Sequence, residues 1–321
     1  MTSGLLVSVV IPYFNADALL PETLGYVRAQ TYAPIEIVIV DDGSKPASAA
    51  RLAEIAKEAG ARVVTQANAG PAAARNLGAA VARGEYLAFL DADDIWAPDK
   101  IGKQVALARE NEGKLILTRT ATISGEGALI KIYCFDKMGL DRDVLNMTIA
   151  GQIHSFTSAL FVPRRTFARL GGFHPKLRVR EDHLLLIQAL REVGFACVPE
   201  VLSSRRLHAA SYSATARHVD ASELLARQVP FAVAVAAIEP GFDRNRFLAK
   251  EAFRIAKRKL VAGRRSEARR IALKAIQLHP GGLKYWLILP ATVIAALHPS
   301  AFDHWAREYA HLHRSGSAEA R

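Results

Sequence analysis

The sequence predicts an α/β fold in which helices flank a mainly parallel sheet, followed by an α-helical appendage. Three observations support this fold class. Short β-branched apolar runs alternate with segments of helical periodicity over residues 5–110, a pattern typical of βαβ units. The apolar runs have no polar face, as expected of strands that are buried on both sides of a parallel sheet. From about residue 220 onward only helical periodicity remains.

Four strands and four helices are expected in the first third of the chain. Pro71 stands in the first turn of one helix and Gly60 closes another, which are ordinary start and stop signals. Because the connections are only a few residues long, right-handed crossovers should join successive parallel strands. The strands are expected at 5–12, 35–40, 61–65 and 85–90, and the helices at 16–30, 46–60, 71–81 and 99–110.

The pattern becomes less regular after residue 114. We therefore expect a catalytic domain at 1–218 and a basic, helical region at 219–321. In the rest of the first domain, strands are expected at 115–117, 128–135, 158–162 and 195–202, and helices at 140–149 and 184–190. In the second region, helices are expected at 220–238, 243–262, 265–278, 282–297 and 300–312.

Composition limits the function classes. The chain has 321 residues, of which 50% are hydrophobic, and a net charge of +11. Residues 243–274 carry 12 Lys or Arg against three acids, so the basic character belongs to the appendage. The two cysteines are far apart, which excludes a disulfide framework and favours a reducing compartment. We see no signal peptide, and no apolar run reaches the roughly 20 residues that a membrane span needs.

Polar residues follow the predicted strands. Asp91 and Asp93 come directly after the fourth strand and are separated by one residue. An extended backbone would send both carboxylates to one face, and such oxygen ligands suit Mg2+ or Mn2+ beside substrate phosphates. For this motif alone, a solvated acidic turn is the alternative. Clustering favours the metal site, because ligands bind at the carboxyl edge of such sheets. The other polar residues expected at this edge are Asn15, Asp41, Asp42 and Arg75.

Six motifs in a fixed order carry a resemblance to a known family. They are VVIPYFN at 9–15, VDDGS at 40–44, NAGPAAARNLG at 68–78, GEYLAFLDADD at 84–94, GGF at 171–173 and ED at 181–182. With them the chain resembles the inverting family 2 glycosyltransferases of the GT-A fold over roughly residues 5–215. The resemblance implies a Rossmann-like sheet and a nucleoside diphosphate sugar as donor, with a UDP-sugar favoured.

The resemblance also implies roles for the residues of the donor site. Asp41 or Asp42 would accept a hydrogen bond from the base, and Phe14 would stack on it. Arg75 would lie between Asp41 and the nucleotide, and Gly70 would let the backbone approach the ligand. The implied donor-binding residues are Pro12, Phe14, Asn15, Asp41, Asp42, Gly70, Arg75, Asp91 and Ala92.

By the same resemblance, Asp93 would ligate Mn2+ or Mg2+, and Asp91 would reach the metal or the ribose. His208 would assist with the metal or the diphosphate, although a surface histidine is the alternative. Arg205 or Arg206 would neutralise phosphate. Asp94 would begin the next helix or support the metal ligands.

The resemblance assigns Asp182 as the general base that takes the proton of an acceptor hydroxyl. A single base with direct displacement predicts inversion at the anomeric carbon. Glu181 would hold nearby loop groups or the acceptor. The alternative for this pair is an acidic first turn that the helix dipole favours.

The acceptor is expected to be a glycan or a lipid-linked intermediate of cell-surface polysaccharide synthesis. Basic helices beside an apolar, aromatic helix suit an anionic membrane surface. We therefore expect a cytoplasmic protein that is peripheral at the inner face of the membrane. A soluble helical cap is the alternative for the tail, and no nucleic acid is expected, since aromatic residues are sparse in the basic run.

Two other functions stay open from the sequence. A nucleotidyltransferase would share the sheet and the metal carboxylates, but the loop after the first strand lacks the glycine-rich, basic character that such enzymes usually have. A non-catalytic membrane or assembly protein could keep the sheet as a scaffold, although Arg75, Asp91, Asp93 and Asp182 argue against it.

Overall fold

A computed structural model describes residues 4–133, 142–149, 156–207 and 219–286. The chain separates into two compact units, Met1–His208 and Ala209–Arg321. The predicted boundary between residues 218 and 219 stays a prediction, because the residues on its N-terminal side lie outside the described ranges.

Within its described residues, the first unit is built on a nine-stranded mixed sheet with the order β3-β2-β1-β4-β8-β6-β9-β5, and β7 pairs with β6. Strands β1 to β4 are mutually parallel, which confirms the predicted fold class. The strands are β1 Val7–Tyr13, β2 Ile35–Asp41, β3 Arg62–Thr65, β4 Tyr86–Phe89, β5 Ile95–Trp96, β6 Leu115–Ser124, β7 Leu129–Tyr133, β8 Phe161–Pro163 and β9 Phe195–Leu207.

Helices cover the sheet at or near the predicted positions, except that α6, Arg164–Arg169, was not predicted. Helix α2 ends at Gly60, whose φ of 64° is the left-handed conformation that glycine adopts easily. The helices of this unit are α1 Leu20–Arg28, α2 Pro46–Ala59, α3 Pro71–Val81, α4 Lys100–Glu110, α5 Arg142–Ile149, α6 Arg164–Arg169 and α7 Glu181–Glu192, with a 3-10 turn at Thr157–Ala159.

The central strand β1 contributes to cores on both faces of the sheet. Val9 and Ile11 pack in one core with Leu24 of α1. Val10 packs on the other face with Ala79 of α3. Because both faces are covered, the strand has no polar side, which is the pattern that its sequence shows.

Three local predictions differ from the structure. Asp91 is not in extended backbone: β4 ends at Phe89, and the amide of Asp94 donates to the carbonyl of Asp91 over 3.1 Å, which closes a turn. Ser158 lies in the 3-10 turn rather than in a strand. Strand β9 continues to Leu207 because it pairs with β6 along its length, so Arg205 and Arg206 lie in a strand rather than in an irregular loop.

The sheet places the predicted site residues at one edge. Strand β8 is antiparallel to both β4 and β6, and β9 is parallel to β6. The carboxyl ends of β1, β2, β4, β6 and β9 therefore share an edge, which is where ligands bind in open α/β sheets.

The described part of the second unit is helical. One segment, 221–238, is long and apolar enough to cross a membrane by length and composition, whereas we expected none. A soluble helical core meets the same criterion, and Phe231, Ala232 and Val235 of this segment are buried. The helices are α8 Ala221–Ala226, α9 Val229–Ile238, α10 Arg244–Val261, α11 Arg265–Leu278 and α12 Leu283–Trp286. The predicted helix at 300–312 and most of that at 282–297 lie outside the described residues.

Candidate active site

Arg75 lies at the centre of the carboxyl edge and is only 4% exposed. Its Nη2 donates to Asp91 Oδ1 over 2.5 Å, and its Nη1 donates to Glu181 Oε1 over 2.8 Å. The guanidinium also lies 5.5 Å from the ring centroid of Phe173. We expected Arg75 beside Asp41; instead, it joins the acidic turn after β4 to the first turn of α7.

Asp94 supports the acidic turn, residues 91–94, through a buried hydrogen bond. Its buried Oδ2 accepts a hydrogen bond from Ser158 Oγ over 2.5 Å, and the same hydroxyl accepts from the amide of Asp91. Burial, together with the neighbouring charges of Asp91 and Asp93, raises the pKa of Asp94 well above its ordinary value. Ser158 thus fixes both ends of the turn, and Asp94 is a supporting group rather than an exposed ligand.

The donor set at this turn fits a hard divalent cation. Asp91 and Asp93 are both partly exposed, unlike Ala92 and Asp94. Burial is the main cause of the raised pKa of Asp94, and the charges of Asp91 and Asp93 add to it; a bound cation would offset this added repulsion. Within the described ranges, no three His, Cys, Asp or Glu side chains form a metal cluster, so the protein would supply one or two carboxylates and substrate phosphates would complete the shell. His208 lies outside the described residues.

The two aspartates at the end of β2 have different environments. Asp42 accepts hydrogen bonds from the amides of Ala69 and Gly70 and from Gln66, with contacts of 2.7–2.8 Å that use both carboxylate oxygens. Among the described residues, the carboxylate of Asp41 accepts a single hydrogen bond, from the amide of Ser44 to Oδ1. Asp42 therefore holds the loop that leads into α3, and Asp41 is the better candidate for contacting a base.

The loop after β1 is tied to the loop after β2. Asn15 has a φ of 49°, and its amide donates to Ser44 Oγ while its Oδ1 accepts from the amide of Lys45. Pro12 pairs with Val40 in the sheet. Phe14 is 52% exposed at this edge, so its ring is accessible to a planar ligand.

Asp182 lies in the first turn of α7 beside Glu181. Its Oδ1 accepts from the amide of His183 over 2.8 Å and lies 3.2 Å from Nδ1 of the same residue. Burial acts to raise the pKa of Asp182, but the hydrogen bonds and charge of His183 outweigh it and hold the pKa below its ordinary value. For Glu181, burial is the larger effect and its pKa is raised, although Arg75 opposes this. The contacts of His183 therefore favour the ionised form of Asp182, whereas Glu181 is paired with Arg75.

The two arginines of β9 differ in their partners. Arg206 forms a bidentate pair with Glu22 of α1, with distances of 2.9 and 2.7 Å. Arg205 lies 5.6 Å from the ring of Phe156, and its charge acts to lower the pKa of Asp94. Arg205 is thus the arginine of the pair that lies near the acidic turn.

Sequence reasoning did not assign roles to His183 or to Ser158 as a support for the turn. Both act through contacts that depend on backbone geometry. Ser158 meets Asp94 across 64 residues, so no local pattern identifies this contact. His183 follows Glu181 and Asp182 directly, and its position in the first turn of a helix was the only available signal.

Comparison with known proteins relates this chain to one family. The model for glycosyl transferase family 2 matches residues 8–167. An uncharacterized glycosyltransferase of Haemophilus influenzae is 32% identical over 190 residues, which cover 59% of this chain and 73% of that protein. The amylovoran biosynthesis glycosyltransferase AmsB of Erwinia amylovora is 30% identical over 201 residues, which cover 60% of this chain and 65% of AmsB. Another relative is a longer protein, and the part that matches this chain covers only 34% of its length.

Solved structures share the fold. S. aureus TarS in complex with UDP-GlcNAc superposes with a TM-score of 0.61 at 17% identity, covering 94% of this chain and 87% of that chain. The mannosyltransferase PcManGT of Pyrobaculum calidifontis, in complex with GDP-Man and Mn2+, superposes with a TM-score of 0.53 at 18% identity, covering 98% of this chain and 87% of that chain.

Proposed function

The chain belongs to glycosyl transferase family 2, and from this premise we propose that it transfers a sugar from a nucleoside diphosphate sugar to a hydroxyl group with inversion at the anomeric carbon. The observation that carries the proposal is the bridge formed by Arg75. It connects Asp91 of the acidic turn to Glu181, which is adjacent to the proposed base Asp182. One buried side chain thus holds the proposed donor carboxylates close to the proposed general base.

The donor would lie along the carboxyl edge. The base would contact Asp41 and stack on the exposed ring of Phe14, and the ribose would approach Asp91. We favour a uridine nucleotide from the resemblance. The solved structures with this fold are complexes with UDP-GlcNAc and with GDP-Man, so a guanosine nucleotide is the alternative to test first.

Asp93, with Asp91, would hold Mn2+ or Mg2+ beside the diphosphate. The ion, when bound, would act as a Lewis acid that stabilises charge on the leaving diphosphate. Asp94 and Ser158 orient the turn that presents these carboxylates.

Asp182 would act as general base. It accepts the proton of an acceptor hydroxyl while that oxygen forms a bond to the anomeric carbon and the bond to the diphosphate breaks. Its lowered pKa keeps the carboxylate ionised at neutral pH. Glu181, held by Arg75, would position the loop or the acceptor next to it.

A glycan or lipid-linked acceptor of cell-surface polysaccharide synthesis is the class that we propose. The relative AmsB is named for amylovoran biosynthesis, which supports a polysaccharide pathway for this chain as well. We include no nucleic acid among the proposed partners.

The second unit would associate with an anionic membrane at its cytoplasmic face. Leu283 and Trp286 are 82% and 48% exposed, and they flank Lys284. Burial and the nearby charges of Arg246 and Lys284 lower the pKa of Lys250, so these cations form one patch beside the exposed apolar side chains. Each cation near an anionic surface contributes about 1 kcal/mol.

One experiment tests the proposed transfer. The protein is incubated with Mn2+ and a panel of UDP- and GDP-sugars, and the released nucleoside diphosphate is measured. We expect release with one donor and its loss in Asp93→Ala. Pyrophosphate release from a nucleoside triphosphate, without any release from the sugars, would identify a nucleotidyltransferase instead.

Membrane association has its own test. Flotation with vesicles that contain phosphatidylglycerol should recover the protein, whereas phosphatidylcholine vesicles should not. The variant Arg246→Glu/Lys250→Glu should lose flotation. Unchanged flotation of this variant would mean that the patch does not bind the membrane, and absence of flotation of the wild type would identify a solvated helical cap.

A further inference from the structure

Arg178 lies against the glycine that begins helix α3. Gly70 has a φ of 92°, and Nη1 of Arg178 is 3.0 Å from the position that a Cβ on Gly70 would occupy. The guanidinium carbon is 3.5 Å from the same position. The guanidinium therefore fills the space that the missing side chain leaves, in the loop that Asp42 holds.

Arg178 does not serve to neutralise this carboxylate. Both oxygens of Asp42 already accept hydrogen bonds from Ala69, Gly70 and Gln66. Arg178 is exposed, and within the described part of the chain it has no hydrogen bond or ion pair. Its position next to Gly70 is thus not explained by pairing inside the protein.

The other arginines of this edge are engaged. Arg75 binds Asp91 and Glu181, and Arg206 binds Glu22. Arg180 and Arg205 also have interactions within the chain. A nucleoside diphosphate would enter a site that is rich in carboxylates, so it requires positive charge that these pairs do not supply.

We infer that Arg178 is a further donor-binding residue, which contacts the phosphate groups of the nucleoside diphosphate. A planar guanidinium with several N–H donors matches phosphate oxygens in a bidentate way. Leu177 next to it is buried, and its amide donates to the carbonyl of His174 over 3.0 Å, so the backbone that carries Arg178 is anchored. The inference rests on the proposed function, because it takes the donor to be a nucleoside diphosphate sugar.

The test compares ligands that differ only in their phosphates. The affinities of UDP and GDP in the presence of Mn2+ are measured by calorimetry, and those of uridine and guanosine by saturation-transfer NMR. The variants are Arg178→Gln and Arg178→Lys, and the control is Arg169→Gln, because Arg169 is an exposed arginine at the end of α6. Thermal melts establish that each variant is folded.

We expect Arg178→Gln to weaken binding of the nucleoside diphosphate about tenfold, which is the usual effect of one charge-assisted hydrogen bond. The affinity for the nucleoside should not change. Arg178→Lys should restore part of the loss, because it keeps the charge but not the planar fork. Arg169→Gln should bind like the wild type.

Three results would overturn the inference. Unchanged diphosphate affinity would mean that Arg178 only packs on Gly70, and tighter binding would mean that the ligand must displace it. Equal losses for nucleoside and diphosphate would place Arg178 at the base. If the wild type binds no nucleoside diphosphate, the proposed function itself is wrong. If the wild type binds one and any of the three results is found, only the inference about Arg178 is wrong.

Discussion

Arg75 and Glu181 form a buried ion pair of 2.8 Å between residues that are 106 positions apart in the chain. The other end of the same guanidinium binds Asp91. One side chain therefore sets the distance between the acidic turn after β4 and the first turn of α7. The relation explains why the proposed donor carboxylates and the proposed base can act on one substrate.

Removal of Arg75 should destabilise the fold. Arg75→Met leaves the buried Glu181 without its cation, and breaking a buried pair from one side costs about 3–5 kcal/mol. The free energy of unfolding, measured by urea denaturation, should fall by this amount.

The double variant Arg75→Met/Glu181→Gln serves as the control for this pair. It removes the uncompensated charge, so it should recover part of the lost stability. The single variants Arg75→Met and Glu181→Gln complete the comparison. If the loss of stability in the double variant equals the sum of the two single losses, the two side chains do not interact in solution.

Asp42 and Asp41 should respond differently to substitution. Asp42→Ala leaves the amides of Ala69 and Gly70 without their acceptor, and the buried unpaired donor at Gly70 costs about 1–3 kcal/mol. Asp41→Asn keeps an acceptor for Ser44, so we expect little change in stability but weaker nucleotide binding. Thermal melts and calorimetry with UDP separate the two effects. If Asp42→Ala leaves the melting temperature unchanged, the structural role of Asp42 is wrong.

The pH dependence of the reaction should reflect the contact between Asp182 and His183. Although burial acts to raise the pKa of Asp182, His183 lowers it below its ordinary value, so the base should stay ionised to a lower pH than an ordinary aspartate. His183→Phe keeps the backbone hydrogen bond but removes the imidazole, so the acid limb of the kcat–pH profile should move to higher pH. An acid limb at the same pH in both proteins would contradict the contact.

The lowered pKa of Asp182 should also make the stability of the fold depend on pH. A carboxylate with a lowered folded pKa adds stability above its unfolded pKa, and this contribution is lost as the pH falls through the folded pKa. His183→Phe should therefore unfold more readily than the wild type above about pH 4, and this difference should shrink in stronger acid. Urea titrations at several pH values measure it.

Gly70→Ala should destabilise the protein more than Gly60→Ala. Both glycines have positive φ, but a Cβ at Gly60 meets no atom within 4 Å, whereas a Cβ at Gly70 meets Arg178. The two backbones also differ, because Gly60 is left-handed with φ 64° and ψ 26°, whereas Gly70 has φ 92° and ψ 167°, a region that essentially only glycine adopts and that costs another residue about 1–3 kcal/mol. The larger cost at Gly70 therefore combines backbone strain with the contact to Arg178. Adding Arg178→Ala to Gly70→Ala should recover only the part that comes from the contact. No recovery in this double variant would contradict the contact.

The sequence predicted the regular part of the fold for physical reasons that are local. Val9, Val10 and Ile11 form a β-branched run without a polar face, and Pro71 and Gly60 mark helix ends. These signals depend on neighbours in the chain, so strand β1 and helices α2 and α3 were found at nearly the predicted bounds. The motifs also placed Asp41, Arg75 and Asp91 at one edge.

The contacts within the site could not be predicted in the same way. Arg75 meets Glu181 only after β4, β8 and the loop before α7 have packed together, and no local pattern distinguishes this partner from Asp41. The polar end of β9, with Arg205 and Arg206, has weak strand propensity, and it is extended because β6 supplies the pairing. Both the partner of Arg75 and the extended end of β9 therefore depend on contacts between distant parts of the chain.

The most direct test of the account is the stereochemistry of donor hydrolysis. With Mn2+ and an α-linked nucleoside diphosphate sugar, water can replace the acceptor, and rapid proton NMR identifies the released anomer before mutarotation. We predict that the β-anomer appears first, and that Asp182→Asn and Asp93→Ala slow its release at least about 100-fold, the lower range for a general base. Initial release of the α-anomer, or unchanged rates in both variants, would contradict the proposed mechanism.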